Sequence, residues 1–249
     1  MIALGFSLAL LIGVTLGLLG GGGSILTVPV LVYALGFPVK QAVPMSLVVV
    51  GVTSLFGVAN HRRNGNIRWD AAIAFGPAAI IGAFVGARVA PMVSSRVQLA
   101  IFAVLMLAAA ASMFFGPTGT ERDEGEPAPG RSPSMIALLG AFVGALTGLV
   151  GVGGGFMYVP ALVLLGGLPM RQAIGTSLVL IILSCAAGFV SYLGRVAFDL
   201  QATVLFIALA TIGVGVGSRL VGRFPQPVLR KAFAVLLVVM GVMVLVKPR

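Results

Sequence analysis

The first 39 residues of the chain contain no charged side chain, and this neutral stretch restricts the fold more than any other feature. About 20 apolar residues are enough for a helix to cross the hydrocarbon core of a bilayer. Inside lipid the backbone must satisfy its hydrogen bonds internally, which leaves helices or a closed barrel. The apolar segments here do not alternate with polar residues as barrel strands do. The sequence therefore predicts an all-α polytopic membrane protein.

The composition of the whole chain agrees with this prediction. Hydrophobic residues make up 59% of the 249 residues and charged residues only 9%, whereas a soluble domain carries about 25% charge. The net charge of +10 does not indicate nucleic-acid binding, because the basic residues stand singly at the ends of apolar segments. That distribution is typical of side chains that anchor helices at the membrane surface.

A duplication is the second informative feature of the chain. The segment from Gly17 to Val48 recurs 131 residues later, from Gly148 to Val179, and half of its positions are identical in the two copies. Each copy contains a run of glycines followed by a short apolar stretch with a proline. In so apolar a chain, paired hydrophobic segments with glycine interruptions at corresponding places are typical of transporters with a binding site between two repeats.

The duplication predicts the domain organisation. Residues 1–116 form a first transmembrane repeat, and residues 135–249 form a second one. Residues 117–134 are polar, acidic and rich in proline and glycine, as expected of an extramembrane linker. Each repeat contains five apolar pieces, which predicts about eight to ten membrane helices in two homologous helical repeats.

The second apolar piece of each repeat is too short to cross a bilayer by itself. The pieces run from about Ile25 to Leu35 and from Phe156 to Leu165. A helix of this length covers about 16 Å, half of a hydrocarbon core of about 30 Å. Each piece either extends the first helix as one long kinked helix or forms a re-entrant hairpin with it. The choice decides whether the repeats are parallel or inverted, and we favour inverted repeats.

The glycine runs are the predicted substrate site. A helix N-terminus has unpaired N–H groups and a partial positive charge, and glycine lets a ligand approach the backbone closely. Small hydroxyl residues follow a second pair of helix interruptions, at Pro44 and Gly175. The predicted anion-binding residues are Gly21, Gly22, Gly23, Ser24, Ser46, Gly153, Gly154, Gly155, Thr176 and Ser177. The alternatives are that the glycines only permit close helix packing and that the hydroxyls bond to their own helices.

Other polar residues have more ordinary interpretations. Lys40 and Arg171 lie near helix starts and are predicted to cap or anchor at the interface. His61 is the only histidine and a candidate proton carrier, although a solvated position on the surface, in a polar loop, is the favoured interpretation. Arg88 and Arg219 are predicted to extend their side chains to the membrane surface. Asp70 and Asp199 are predicted to cap the N-termini of helices.

Enzymatic and metal chemistry are disfavoured. No carboxylate lies inside an apolar segment, and no histidine shares a segment with Ser46 or Ser177 to activate a serine nucleophile. Cys185 is the single cysteine, so the sequence has neither a disulfide framework nor the cysteine spacing of a metal site. No cofactor is expected.

The motifs resemble those of the TauE/SafE family of sulfite exporters and sulfonate permeases. The resemblance rests on the doubled Gly-x-Gly-Gly-Gly…Val-Pro-x-Leu motif and on the Pro-x-(Lys/Arg)-Gln-Ala motif that follows each copy, and it covers nearly the whole chain outside the linker. Within the glycine run the first copy departs from the second at two positions, with Gly21 in place of Val152 and Ser24 in place of Gly155.

The resemblance implies a multi-pass transporter of sulfite, sulfonates or related small anions in a prokaryotic plasma membrane. It implies a secondary carrier, for which a proton or a sodium ion is the candidate coupling ion and a homodimer the candidate assembly. It also implies that the repeated glycine and hydroxyl positions line the path. A passive anion channel, or a carrier of another small organic anion, is the alternative.

Overall fold

The computed structural model describes residues 2–115, 133–150, 155–193 and 199–246. Ten α-helices occupy these ranges, and six of them are long and apolar enough to cross a membrane. The six long helices are the third, fourth and fifth of each half, counted along the chain. The prediction of an all-α polytopic membrane protein is confirmed.

The bounds of the helices follow the glycines and prolines of the sequence. In chain order the helices are α1 Ile2–Leu19, α2 Gly22–Pro29, α3 Val39–Arg63, α4 Trp69–Val89, α5 Ser95–Phe115, α6 Pro133–Val150, α7 Gly155–Pro160, α8 Met170–Tyr192, α9 Leu200–Leu220 and α10 Gln226–Val246. A π-helical turn follows each of the short helices, at Val30–Ala34 and at Ala161–Leu165, directly after a proline. The two halves, α1–α5 and α6–α10, thus share one order of elements.

The short helix α2 folds back along α1. A Cβ atom at Gly23 would lie 2.4 Å from the carbonyl oxygen of Ile12 and 2.3 Å from the Cβ atom of Leu16. These residues lie too far back along α1 to contact Gly23 if the two helices were continuous. Of the two alternatives left open by the sequence, the first half therefore adopts the re-entrant hairpin.

The two halves are interleaved, because each major helix packs against a helix of the other half. The first helix of one half lies against the fourth of the other, which pairs α1 with α9 and α6 with α4. The third helices pair with one another, and so do the fifth, which joins α3 to α8 and α5 to α10. The core of the protein is consequently an interface between halves.

Glycines make the α1–α9 and α4–α6 contacts very close. A Cβ atom at Gly13 would lie 2.0 Å from the carbonyl oxygen of Ala210, and one at Gly86 would lie 1.9 Å from that of Ala145. Backbone therefore meets backbone, as is common for helices packed through small residues in membranes. The interpretation of glycine as a packing residue is correct for these helices.

The third helices of the two halves run in opposite directions, and so do the fifth helices. Gly51 lies next to Cys185, and Gly57 lies next to Leu178, so α3 and α8 are antiparallel. The same holds for α5 and α10, where Gly241 lies next to Leu107 while Arg230 donates to the carbonyl oxygen of Met113 at 2.7 Å.

The outer surface of the bundle is apolar. Large side chains on the outward faces are strongly exposed, among them Ile73 (71%) and Leu138 (72%). In water such a surface would drive aggregation. In a bilayer it contacts acyl chains, and the polar hydroxyls are turned inward instead, as membrane helices require.

Three local predictions differ from the structure. Helix α3 continues to Arg63, so His61 lies inside a helix and is only 1% exposed rather than solvated in a loop. Asp70 lies in the first turn of α4 and pairs with Arg68, which itself takes the N-cap position. Asp199, by contrast, does cap α9, since its Oδ1 accepts from the amide of Ala202 at 2.9 Å. Helix α6 begins at Pro133, within the predicted linker, whose residues up to 132 lie outside the described ranges.

Candidate functional site

The first glycine run forms the turn between α1 and α2. Gly20 has φ of +65°, a left-handed conformation that glycine adopts without strain. The predicted set of site residues begins at Gly21 and leaves out Gly20. The sequence feature that could have identified Gly20 is its repetition, because glycine also stands at the equivalent position, Gly151.

The turn meets the other half of the protein at Gly155. A Cβ atom at Gly21 would lie 1.9 Å from the carbonyl carbon of Gly155, and one at Gly155 would lie 2.4 Å from the Cα atom of Gly21. These are the two positions at which the glycine motifs differ from each other in sequence. Each motif thus supplies a glycine where the other one presses against it, and both glycines are buried.

Ser177 of α8 lies beside the same turn. A Cβ atom at Gly20 would lie 2.9 Å from the Oγ atom of Ser177, which is fully buried. The hydroxyl donates to the carbonyl oxygen of Ile174 at 2.8 Å. The structure therefore brings together the first glycine turn, Gly155 and Ser177, in a buried cluster that we call the glycine junction.

The other predicted serines are also buried and bond within their own helices. Ser24 donates to the carbonyl oxygen of Gly21 at 2.6 Å, and Ser46 donates to that of Val43 at 2.8 Å. This is the local bonding that hydroxyls adopt in helices. The hydroxyl hydrogens of both serines are thus engaged by carbonyls of their own helices.

Thr176 faces a different neighbour from Ser177. Its Oγ1 accepts a hydrogen bond of 2.9 Å from the amide of Arg68, in the connection between α3 and α4. Next to it, a Cβ atom at Gly175 would lie 2.1 Å from the carbonyl oxygen of Asn66. Consecutive helical residues point about 100° apart, so Thr176 ties α8 to this connection while Ser177 turns to the glycine junction.

The remaining predicted site residues are placed as follows. Gly22 begins α2, and Gly23 is buried against α1. Gly153 and Gly154 lie outside the described residues. Two grooves on the outer surface, one between α4 and α8 and one along α9, are lined by other residues, which are apolar except for Gln201.

The N-terminus of α2 has the features of an anion site. No side chain caps it, although the first N–H groups of a helix lack intrahelical partners and carry partial positive charge. A buried helix end normally finds a side chain, a water or a ligand for these groups. Unpaired amide groups of this kind can donate hydrogen bonds to a small anion.

Comparison with known proteins agrees with these features. A model of the sulfite exporter TauE/SafE family matches residues 5–244. The chain belongs to the TauE/SafE family. It is 30% identical to a probable membrane transporter protein of Xylella fastidiosa, over 94% of this chain and 91% of that protein. It is 25% identical to the probable membrane transporter protein YdhB of Bacillus subtilis, over 94% of this chain and 96% of YdhB. No solved structure matches the chain.

This TauE/SafE protein is a multi-pass membrane transporter, since its family and its long apolar helices lead to the same conclusion. Two of its basic residues, Lys40 and Arg171, bond to carbonyls of a neighbouring helix end. Lys40 donates through Nζ to the carbonyl oxygens of Ala90 and Val93, at 2.7 and 2.5 Å. Both accepting carbonyls lie just beyond the C-terminus of α4, so the ammonium group caps a neighbouring helix end.

Arg171 does the same in the other half of the TauE/SafE chain. Its Nη2 donates to the carbonyl oxygens of Gly222 and Phe224, at 3.2 and 3.1 Å, just beyond α9. The predicted interfacial role of Lys40 and Arg171 thus corresponds to their contacts. Arg88 and Arg219 are exposed at the ends of α4 and α9.

Two polar contacts between helices of the TauE/SafE bundle were not anticipated. The Oη of Tyr158 and the Oγ of Ser184 form a buried hydrogen bond of 2.5 Å between α7 and α8. Asn60 donates through Nδ2 to the Oγ of Ser218 at 2.7 Å, which links α3 to α9. Residues this distant in sequence give no local signal of pairing.

Proposed function

We propose that the protein is a secondary carrier that moves sulfite, sulfonates or related small sulfur-containing anions across the prokaryotic plasma membrane. The observation that carries the proposal is the backbone contact between Gly21 and Gly155. It brings the beginning of α2 from one half and the beginning of α7 from the other half into one buried place. A site that both halves build can open to either side when the halves move.

The chemistry of the glycine junction favours an anion. Amide donors at the uncapped N-terminus of α2 carry partial positive charge, and the absent side chains let a small oxyanion reach them. Ser177 can add a hydroxyl donor if it releases its bond to Ile174. The described residues include two acidic ones, and neither belongs to the junction, because Asp70 pairs with Arg68 and Asp199 caps α9.

The fold supports alternating access between residues 1–116 and 135–249, which we regard as inverted repeats joined by the linker 117–134. The antiparallel pairing of α3 with α8 and of α5 with α10 supports this assignment, because inverted repeats are common in such carriers. The contact of Gly21 with Gly155 leaves no space for an anion, so the described arrangement is a closed one. Transport then requires the first glycine turn and Gly155 to separate.

The test is counterflow in proteoliposomes. Vesicles that contain the purified protein are loaded with unlabelled sulfite, and the uptake of external radiolabelled sulfite is followed. A carrier accelerates labelled uptake when it is loaded on the far side, whereas a passive channel does not. Saturable uptake with acceleration is expected; uptake that stays linear with concentration and unaffected by loading would refute the carrier.

A second measurement identifies the class of cargo. Purified protein is heated with sulfite, ethanesulfonate, acetate or chloride, and its melting temperature is recorded. A ligand that binds only the folded state at 100 times its Kd stabilises it by about 2.7 kcal/mol. Stabilisation by sulfite and ethanesulfonate is expected. Stabilisation by acetate alone would assign another organic anion as the cargo.

A further inference from the structure

His61 is a buried imidazole that the proposed anion site does not use. It is the only histidine of the chain and lies in the last turn of α3 with 1% of its surface exposed. Its Nε2 lies 3.4 Å from the carbonyl oxygen of Gly17. Its Nδ1 is buried without a hydrogen-bond partner among the described residues.

The contact with Gly17 joins His61 to a helix end. Helix α1 ends at Leu19, so the carbonyl of Gly17 is one of the last four, which have no intrahelical partner. These carbonyls carry partial negative charge and stabilise a cation beside them. A neutral imidazole has hydrogen on one nitrogen only, so the carbonyl of Gly17 selects a form with hydrogen on Nε2.

The unpartnered Nδ1 makes the proton affinity of His61 depend on conformation. In the neutral form this nitrogen is a buried acceptor without a donor, and in the imidazolium it is a buried donor without an acceptor. A charged donor without a partner carries the larger desolvation penalty. A conformation in which Nδ1 meets water therefore binds a proton more tightly than the closed one described here.

The position of His61 connects this difference in proton affinity to the glycine junction. Gly17 precedes the turn at Gly20 by three residues, and a Cβ atom at Gly17 would lie 2.5 Å from the carbonyl oxygen of Val214 in α9. The end of α1 is thus held between His61 on α3 and the backbone of α9. A movement that separates the first glycine turn from Gly155 must shift this helix end relative to at least one of its neighbours.

Among the described elements that pack against α3, no acidic side chain lies beside His61 as an alternative site for binding a proton. Helix α1 has no ionisable side chain, and Asp199 lies at the far end of α9 from Ser218, whose hydroxyl bonds to Asn60. The ionisable groups on these elements and on α3 itself are Tyr33, Lys40, Arg62, Arg63, Arg171, Cys185, Tyr192 and Arg219. Of these groups, only histidine has an ordinary pKa near neutral pH.

We infer that His61 is the proton-binding residue that couples a proton gradient to anion transport in this protein. The inference rests on the proposed carrier function. Binding and release of the proton at His61 accompany the opening and closing of the glycine junction, because the two conformations differ in proton affinity. By linkage, the proton gradient then drives the conformational equilibrium.

The test separates coupling from transport. Proteoliposomes with the wild-type protein or with His61→Gln receive an imposed pH gradient at zero membrane potential, and accumulation of radiolabelled sulfite is measured. Counterflow is measured in parallel without a gradient. We expect His61→Gln to abolish gradient-driven accumulation while its counterflow stays within about twofold of wild type. A proton carried by bisulfite itself contributes equally to both proteins and cancels in the comparison.

The controls make each outcome decisive. Tyr192→Phe changes the residue at the position equivalent to His61 in the second half and should leave accumulation intact. Undiminished gradient-driven accumulation in His61→Gln would overturn the inference, as would loss of counterflow in folded, monodisperse His61→Gln and His61→Asn. Wild-type protein that shows counterflow but moves no protons, recorded with a pH-sensitive dye inside the vesicles, would overturn it as well. Absence of wild-type counterflow would instead refute the carrier function.

Discussion

Gly21 of the first glycine run lies directly against the backbone of Gly155, which stands in the second run at the position of Ser24. The two motifs are therefore complementary at this contact, because each has a glycine at the position where the backbone of the other approaches. Similar motifs in the two halves are thus adapted to each other by the positions at which they differ.

Replacement of Gly21 by alanine is expected to weaken both the fold and transport. The new Cβ atom would lie 1.9 Å from the carbonyl carbon of Gly155, and backbone cannot move aside as a flexible side chain does. Overpacking of this kind costs about 1–3 kcal/mol. The melting temperature of Gly21→Ala should fall by several degrees, and the rate of sulfite counterflow should fall at least tenfold.

The matched control is Gly215→Ala in α9, where a Cβ atom would meet nothing within 4 Å. This variant should keep the melting temperature and the counterflow rate of the wild type. If Gly21→Ala behaved like Gly215→Ala, the close contact at the glycine junction would be disproved.

Removal of the Ser177 hydroxyl is expected to affect the binding of sulfite more than the fold. The hydroxyl bonds only locally, to the carbonyl oxygen of Ile174, and a bond of this kind contributes about 1 kcal/mol or less to stability. If it contributes one hydrogen bond to the anion, Ser177→Ala raises the KM for sulfite about tenfold. Ser112→Ala removes an equivalent local bond, to Ala109 in α5, and should leave KM unchanged. An equal KM in both variants would remove Ser177 from the site.

The two buried tyrosines of the second half are expected to respond differently to loss of their hydroxyls. Tyr158→Phe leaves the hydroxyl of Ser184 without its partner, which costs about 1–3 kcal/mol. Tyr192→Phe removes a buried hydroxyl that has no partner among the described residues and should leave stability equal or higher. Thermal unfolding in one detergent measures both variants. A larger loss for Tyr192→Phe would contradict the described hydrogen bonds.

Lys40 is expected to contribute to stability and not to transport. Lys40→Met removes the donor to two carbonyls beyond α4, which costs about 1 kcal/mol at this partly exposed site. Lys231→Met removes an exposed lysine as the control. We expect Lys40→Met to lower the melting temperature and to leave the KM for sulfite unchanged. We expect Lys231→Met to change neither quantity. A raised KM would instead place Lys40 on the path of the anion.

Much of the fold was predictable because its causes are local. The apolar segments predicted the long helices, and the first glycine run predicted the interruption that precedes α2. The placement of His61 was wrong because a polar run of residues resembles a loop, whereas α3 continues through it to Arg63. The histidine is buried by α1 and its neighbours, which sequence periodicity does not reveal.

The predicted set of site residues was divided by the structure for the same reason. Ser177 lies beside the glycine turn, while its neighbour Thr176 accepts a hydrogen bond from Arg68. Adjacent helical positions face different elements, so which of two hydroxyls reaches a site depends on what packs against each face. Proximity in sequence could not decide between them.

The sequence by itself determined a bundle of helices in lipid, interrupted twice by glycine, because a bilayer core admits no other way for so apolar a chain to satisfy its backbone. Only the tertiary structure decided that α1 packs on α9, that α2 folds back from α1, and that Gly21 meets Gly155. Those contacts join residues far apart in the chain, and their energy comes from the close fit of surfaces that no local pattern encodes.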